Sequence, residues 1–271
     1  MTEEDIAAYR RDGAVCVRGV ATAAEIDLVS AAIDRVLDEP SELALVASRE
    51  DDGLFFEDFR NWQRIEETER FVRTSSAAEV VAALTGSSQV RLHHDHVLVK
   101  EAFTSQRTPW HQDQPYYNVA GSQNASMWLP IDAVDRESTL EFVAGSHLGP
   151  WLMPRTFMDG EAKWFPEGSL LELPDIEAER DDHRIVAWEL EPGDAVFFNM
   201  LTLHAAGGVS RNARRRVLSI RYLGDDMVHA PRRWRTSPPF PGLEGDLPAG
   251  AALDHPLFPI LWPAPGPAGP T

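Results

Sequence analysis

Residues 191–204 have the sequence EPGDAVFFNMLTLH, in which a proline–glycine turn leads directly into an apolar run. A turn of this kind followed by valine and phenylalanine is typical of the start of a buried β-strand. Similar runs, separated by turn residues, recur on both sides of it: residues 90–99, 125–131, 140–143, 185–190 and 216–223. A succession of short strands joined by such turns predicts a β-sandwich or barrel.

The N-terminal part of the chain has a different pattern. Helices are predicted at residues 3–11 and 22–39, on either side of a short apolar strand at 14–17. The second helix begins with a threonine followed three residues later by a glutamate, the pattern of a capping box, and its apolar residues then recur at helical spacing. A third helix is predicted at residues 75–85, whereas the pattern of residues 41–74 is mixed and gives no clear prediction.

These patterns predict one domain of 271 residues with three parts. Residues 1–88 form a helical or mixed layer, residues 89–230 a β-barrel core, and residues 231–271 a proline-rich tail. Within the core, residues 151–184 carry many charges and few periodic apolar residues, which predicts a surface insertion and raises the question of a lid. The tail holds 11 of the 20 prolines, which argues against helices and central strands there.

Composition limits the partners. The 43 acidic residues outnumber the 25 basic ones, giving a formal net charge of −18, which disfavours nucleic acid and anionic membranes as partners. A small molecule is the expected partner.

The one cysteine, Cys16, excludes an internal disulfide framework or a multi-cysteine metal site. With no apolar run of 18 residues and an acidic N-terminus, we expect a cytoplasmic protein.

One stretch carries a pattern of metal ligands. In TPWHQDQPYY, residues 108–117, His111 and Asp113 are two positions apart, so on an extended segment both side chains leave the same face. An imidazole and a carboxylate are two ligands of the 2-His-1-carboxylate triad that binds Fe(II). His204, at the end of the strand that starts after residue 193, can supply the third ligand. A lone histidine in such a position is more often a hydrogen-bonded core residue.

These residues resemble the phytanoyl-CoA dioxygenase family of Fe(II)/2-oxoglutarate-dependent oxygenases. The resemblance rests on three blocks: residues 108–117, 128–147, and 191–204 with 211–223. It implies a mainly β protein with flanking helices, built on a double-stranded β-helix, the jelly-roll or cupin-like barrel. It also implies three iron ligands, His111, Asp113 and His204, with 2-oxoglutarate and O2 as co-substrates.

The arginine that binds 2-oxoglutarate is assigned from the resemblance. The family has this residue eleven positions after the distal histidine, which gives Arg215. Arg215 points into the barrel if Leu218 and Ile220, on the opposite face of the strand, pack against the helices. A basic turn exposed to solvent is the alternative, and we expect Arg214 and Arg216 to be solvated.

Five further residues are candidates for the pocket. The resemblance places Trp128 beside 2-oxoglutarate, although plain core packing is an equal alternative, and places His96 on the co-substrate pocket. Tyr116 and Tyr117 follow the metal pattern and are predicted to line the substrate pocket. Arg221 has the same strand parity as Arg215, so it is predicted to face inward, where it could meet an anionic substrate group.

The implied activity is hydroxylation of an unactivated C–H bond in a small organic molecule, with release of succinate and CO2. Asp113 favours this reaction because related halogenases lack the carboxylate, although desaturation and ring formation use the same ligands. A secondary metabolite or an amino-acid or lipid derivative is the expected substrate. A cupin-type metal isomerase, for which His94 and His96 could serve as ligands, and a non-catalytic ligand-binding barrel are the alternatives.

Overall fold

A computed structural model describes residues 1–48, 52–153, 165–166, 168–209 and 214–263. The strands are β1 Ala14–Val17, β2 Leu45–Val46, β3 Phe55–Phe59, β4 Val90–Lys100, β5 Thr108–His111, β6 Val119–Ala120, β7 Asn124–Pro130, β8 Leu140–Val143, β9 Ile185–Ala187, β10 Ala195–Phe198, β11 His204–Ala206, β12 Arg215–Leu223, β13 Val228–His229 and β14 Ile260–Trp262. The α-helices are α1 Glu3–Asp12, α2 Ala23–Asp38, α3 Glu66–Thr74, α4 Ala77–Thr85 and α5 Leu243–Asp246.

The strands form two main antiparallel sheets. The larger sheet has the order β1-β10-β7-β12-β4-β3-β2, with β14 also paired to β4, and the smaller one has the order β5-β11-β8-β9. A cluster of apolar residues from both sheets, including Trp128, Phe142 and Phe198, packs between them. This arrangement confirms the predicted mainly β barrel with flanking helices.

Helices α1 to α4 cover the outer face of the larger sheet. Both α1 and α2 begin with a capping box, at Thr2 and Thr22. Buried residues of α2 join the same core cluster as Leu218, Ile220 and Tyr222 of β12. Because side chains alternate along a strand, the other set of β12 residues, which includes Arg215, faces the space between the sheets.

The strand that leads to His204 is shorter than predicted. β10 ends at Phe198, and His204 is the first residue of β11, which belongs to the opposite sheet. Asn199 turns the chain between them: its side-chain oxygen accepts the N–H of Leu201 at 2.9 Å, and its own N–H donates to Gly13 O at 2.8 Å. The apolar run therefore covers two strands and a turn.

Regular elements also occur in two other segments: one whose pattern gave no clear prediction, and the tail, where the prediction of no helix is wrong. The segment 41–74 contains β2, β3 and α3; α3 has no side-chain cap at its N-terminus, and β3 is buried without alternation. The tail contains α5 and a short strand, β14, whose flanking prolines lie outside the paired residues. The tail does pack on the body, with Leu243, Leu253 and Phe258 buried, and its residues 264–271 lie outside the described residues.

The predicted insertion at 151–184 is described only in part, since residues 154–164 and 167 lie outside the described residues. Its described part is tied to the barrel by ion pairs between Arg180 and Glu141 of β8, with an N–O distance of 2.9 Å. Leu152 and Leu171 form an isolated β-bridge within it. A lid role stays a prediction.

Gly13 anchors the turn that precedes His204, and its replacement is expected to destabilise the protein. Gly13 has φ +79°, and a Cβ there would overlap the side chains of His147 and Thr202. Gly19 has φ +61° with open space around it, so it shares the backbone strain without the overlap. We expect Gly19→Ala to cost about 1–2 kcal/mol from strain alone, and Gly13→Ala about 1–3 kcal/mol more. Denaturant unfolding measures both, and equal losses would contradict the role given to Gly13.

Candidate active site

Two neighbouring strands of the smaller sheet bring the predicted ligands together. His204 of β11 lies directly opposite His111 of β5 in the antiparallel register. The Nε2 atoms of His111 and His204 lie 3.6 and 3.7 Å from Oδ1 of Asp113. One ligand atom from each residue lies within 4.8 Å of the other two. The three side chains therefore converge on one point.

Asp113 reaches this point through a turn and not along a strand. β5 ends at His111, and Asp113 has helical torsions, φ −75° and ψ −44°, at the start of a 3-10 turn, Gln114–Tyr116. The backbone N–H groups of Asp113 and Gln114 both donate to Met200 O, at 2.8 and 2.9 Å. The same-face argument for His111 and Asp113 was therefore wrong in its geometry, and the turn produces the convergence instead.

The two imidazoles are oriented for metal binding. Nδ1 of His111 lies 2.8 Å from Pro109 O, and Nδ1 of His204 lies 2.9 Å from Thr202 O. Because carbonyl oxygens only accept, each Nδ1 carries the proton and each Nε2 presents a lone pair to the site. Burial, with help from the neighbouring His111, lowers the pKa of His204 to about 3, so this ring stays neutral.

Asp113 is held by one of its two oxygens. Its Oδ2 accepts hydrogen bonds from Ser126 Oγ at 2.8 Å and Arg221 Nη2 at 3.1 Å, which leaves Oδ1 facing both imidazoles. Burial alone would raise the pKa of Asp113, but the charge of Arg221 and the two histidines hold it well below its usual range. Two imidazoles that turn Nε2 to the site and one carboxylate oxygen form a set that fits a divalent ion such as Fe(II).

A cavity of about 260 Å³ opens from these three residues into the space between the sheets. Its lining includes every residue predicted for co-substrate or substrate: Trp128, His96, Arg215, Tyr116, Tyr117 and Arg221. The sequence therefore identified residues that one cavity brings together.

Arg215 is buried on the inner face of β12, as its parity predicts. Its Nη1 donates to Ser138 O, and its guanidinium lies 5.6 Å from the ring centroid of Trp128. Burial lowers the pKa of Arg215 to about 10, so the group remains a cation at neutral pH. Arg216 points outward and pairs with Asp132 at 2.7 Å, which corrects the expectation that it is simply solvated.

Arg221 also faces inward, but it is not available to a substrate anion. Its Nη2 contacts Asp113 at 3.1 Å, its Nε donates to Tyr117 Oη at 2.9 Å, and its Nη1 donates to Ser219 Oγ at 2.5 Å. The prediction of an inward side chain holds, whereas the prediction of an anionic substrate partner does not fit these contacts.

His94 and His96 on β4, the candidate ligands of the alternative isomerase site, do not form a metal site in the described part of the chain. Asp95 accepts the backbone N–H groups of Asn61 and Trp62, both at 2.9 Å. Nδ1 of His94 lies 2.9 Å from Nδ1 of His93, so this nitrogen of His94 contacts a neighbouring ring. These side chains are therefore committed to packing.

His96 lines the cavity beside an acid that the sequence did not reveal. Its ring stacks on Phe59 with centroids 3.9 Å apart, and its Nε2 lies 3.6 Å from Glu57 Oε1. Glu57 and Phe59 belong to β3, in the segment that predicted no element, and Arg235 and Ser237 reach the cavity from the tail. No signal in the sequence connected these four residues with the site.

A double-stranded β-helix with two histidines and a carboxylate facing its cavity is the architecture expected of a non-haem metal oxygenase. The chain belongs to the phytanoyl-CoA dioxygenase family, whose family model, phytanoyl-CoA dioxygenase (PhyH), matches residues 9–217. This membership confirms the resemblance predicted from the sequence. The name of the family is that of a dioxygenase, which agrees with the enzyme class expected from the sequence.

A curated relative carries the same family name. A probable phytanoyl-CoA dioxygenase of Caenorhabditis elegans is 24% identical over 168 residues, which cover 58% of this chain and 51% of the relative. The chain thus spans about half the length of that curated relative.

No helix in the described ranges combines the length and apolar character needed to cross a membrane.

Two enzymes of nogalamycin biosynthesis have similar structures. The non-heme α-ketoglutarate-dependent carbocyclase SnoK superposes with a TM-score of 0.75 at 21% identity, covering 96% of each chain, and shows the shared fold. The α-ketoglutarate-dependent epimerase SnoN superposes with a TM-score of 0.73 at 25% identity, covering 99% of this chain and 98% of its own. SnoN has also been solved in complex with Fe3+, α-ketoglutarate and nogalamycin RO.

Proposed function

We propose that this protein is an Fe(II)/2-oxoglutarate-dependent dioxygenase that hydroxylates an unactivated C–H bond of a small organic molecule, with release of succinate and CO2. The observation that carries the proposal is the convergence of His111, Asp113 and His204 at one end of a cavity that also contains the buried cation Arg215. Family membership supports the same class of reaction.

His111, Asp113 and His204 would hold Fe(II) on one face and leave the cavity side open to ligands. When bound, iron would supply the activation of O2 and the oxidising power for the C–H bond. The protein's own groups orient the reactants and exclude water: the two Nδ1–H donors fix the imidazoles, and the buried walls shield the reaction.

Arg215 would bind the distal carboxylate of 2-oxoglutarate. A guanidinium presents two parallel donors to a carboxylate, and a buried pair of this kind is strong and directional. Trp128 lies against this guanidinium, and His96 would line the same compartment. Although the whole chain is acidic, Arg215 places a buried cation inside the barrel, where a carboxylate could bind.

The remaining cavity wall supports a small, largely apolar substrate. Tyr116 and Tyr117 lie beside the metal ligands, and Phe59 and Leu98 add apolar surface on the larger sheet. The structural relatives act on a complex natural product, as a carbocyclase and an epimerase, so a secondary metabolite is the proposed substrate class ahead of an amino-acid or lipid derivative. Asp113, present as a ligand-type residue, argues against halogenation, and hydroxylation is proposed because the matching family is one of dioxygenases.

Succinate formation tests the proposal. Purified protein supplied with Fe(II), 2-oxoglutarate and O2 is expected to form succinate slowly alone and faster with a member of a metabolite panel that gains one oxygen atom. Omission of either iron or 2-oxoglutarate should stop both products. Conversion of a metabolite at an undiminished rate without 2-oxoglutarate would instead identify a cupin-type isomerase and overturn the proposal.

A further inference from the structure

Arg221 makes three side-chain contacts that fix its guanidinium beside the metal ligands. Its Nε and Nη1 donate to Tyr117 Oη at 2.9 Å and Ser219 Oγ at 2.5 Å, and its Nη2 lies 3.1 Å from Asp113 Oδ2. The residue is only 6% exposed. Each arm of the guanidinium is therefore committed, and rotation would break at least one hydrogen bond.

The contact on Asp113 controls which oxygen is available. Oδ2 receives both Arg221 and Ser126, whereas Oδ1 lies between the Nε2 atoms of His111 and His204. A carboxylate with one oxygen occupied in this way can offer only the other to a metal. This geometry would prevent the second oxygen from filling a coordination position on the metal. That position would then stay open to a co-substrate.

We propose that Arg221 is a positioning residue: with Ser126 it forms a cradle that holds the Asp113 carboxylate monodentate toward the metal. The inference rests on the proposed function for the identity of the metal, but its geometry concerns Asp113 alone. A buried ion pair is weak support for folding stability, because desolvation offsets the attraction between the charges. The pair is better explained by the orientation that it gives to Asp113.

Anion rescue tests the cradle directly. In Asp113→Ala the ligand is missing, but Arg221 and Ser126 still present the two donors that held Oδ2. We expect weak Co(II) binding by this variant, and sodium formate should tighten it about 10- to 100-fold, the usual effect of a residue that supports a metal ligand. In Asp113→Ala/Arg221→Met, formate should have no effect. Cobalt absorption reports binding without turnover.

The matched control is Asp113→Ala/Arg216→Met, because Arg216 lies on the same strand as Arg221 but faces outward to Asp132. It should retain the formate response, as it changes the same kind of side chain outside the cradle. An equal formate response in the variants with and without Arg221 would overturn the proposal. So would the lack of any response in folded Asp113→Ala.

A second pair of variants keeps the proposal testable if Asp113→Ala does not fold. Arg221→Met should weaken Co(II) binding about 10- to 100-fold, because Asp113 is then no longer held in position. It should also change the cobalt spectrum, because both carboxylate oxygens can then reach the metal. Arg221→Lys, which keeps the charge but loses the fork, should lie between this variant and the native protein, and Arg216→Met should match the native protein. Native affinity and spectrum in Arg221→Met would refute the inference.

The native protein separates the two hypotheses. If the proposed function fails, the native protein binds Co(II) without any response to 2-oxoglutarate, and the comparison of Arg221 variants still holds. If only the positioning role fails, the native protein binds Co(II) and responds to 2-oxoglutarate, and the Arg221 variants bind Co(II) as the native protein does.

Discussion

His204→Ala is expected to lose metal binding and, with it, all 2-oxoglutarate consumption. The Nε2 of His204 is one of three ligand atoms, and no other imidazole in the described residues lies in a position to replace it. Supporting residues of metal sites already cost about 10- to 100-fold in affinity when removed, so loss of a ligand should cost at least about 100-fold. Isothermal titration with Co(II) measures the loss.

The control for this substitution is His183→Ala. His183 lies outside the cavity, near Glu179 at 3.8 Å, so its removal changes the histidine count without touching the site. It should bind Co(II) with native affinity. Metal affinity within a few-fold of native in His204→Ala would show that the ion is held elsewhere.

Arg215→Met is expected to weaken 2-oxoglutarate binding with little change in metal affinity. Truncating one member of a buried, hydrogen-bonded charge pair costs about 2–5 kcal/mol, or roughly 30- to 4000-fold in Kd. Arg215 lies away from the three ligands, on the opposite sheet, so the metal should still bind. Titration of the Co(II) protein with 2-oxoglutarate gives the Kd.

Arg216→Met is the control for this prediction as well. It removes a guanidinium from the same strand, but from the face that packs toward the helices and pairs with Asp132. Its Kd for 2-oxoglutarate should stay native. A similar loss in both variants would mean that the effect comes from the stability of β12 and not from a bond to the co-substrate.

The side of the larger sheet that each side chain faces could largely be predicted from the alternation of residues along single strands. The parity of β12 predicted that Arg215 and Arg221 face inward if Leu218 and Ile220 pack against the helices, and the structure meets this condition. This worked because a strand buried on one face against helices has only one register that keeps its apolar residues out of the cavity.

The approach of the metal ligands could not be derived from spacing. Asp113 lies on a 3-10 turn fixed by Met200 O, and the strand containing His204 begins after a turn fixed by Asn199 and Gly13. Both turns depend on hydrogen bonds between residues far apart in the chain, which a local pattern does not encode. The resemblance identified the residues, and the structure supplied the reason for their convergence.

The cavity wall on β3 was missed for a different reason. Glu57 and Asp58 are buried acids in a short strand, where exposed polar residues would normally mark one face. Their partners are distant: Asp58 binds Ser41 and Arg64, and Glu57 lies next to His96. Only the tertiary structure shows which groups these acids contact.

The central claim is that the native protein binds Fe(II) and 2-oxoglutarate together at His111, Asp113 and His204. Anaerobic titration of the iron-loaded protein with 2-oxoglutarate tests it most directly. We expect a visible metal-to-ligand charge-transfer band that saturates at one equivalent and is lost in His111→Ala. A folded, iron-replete protein that develops no such band would contradict it.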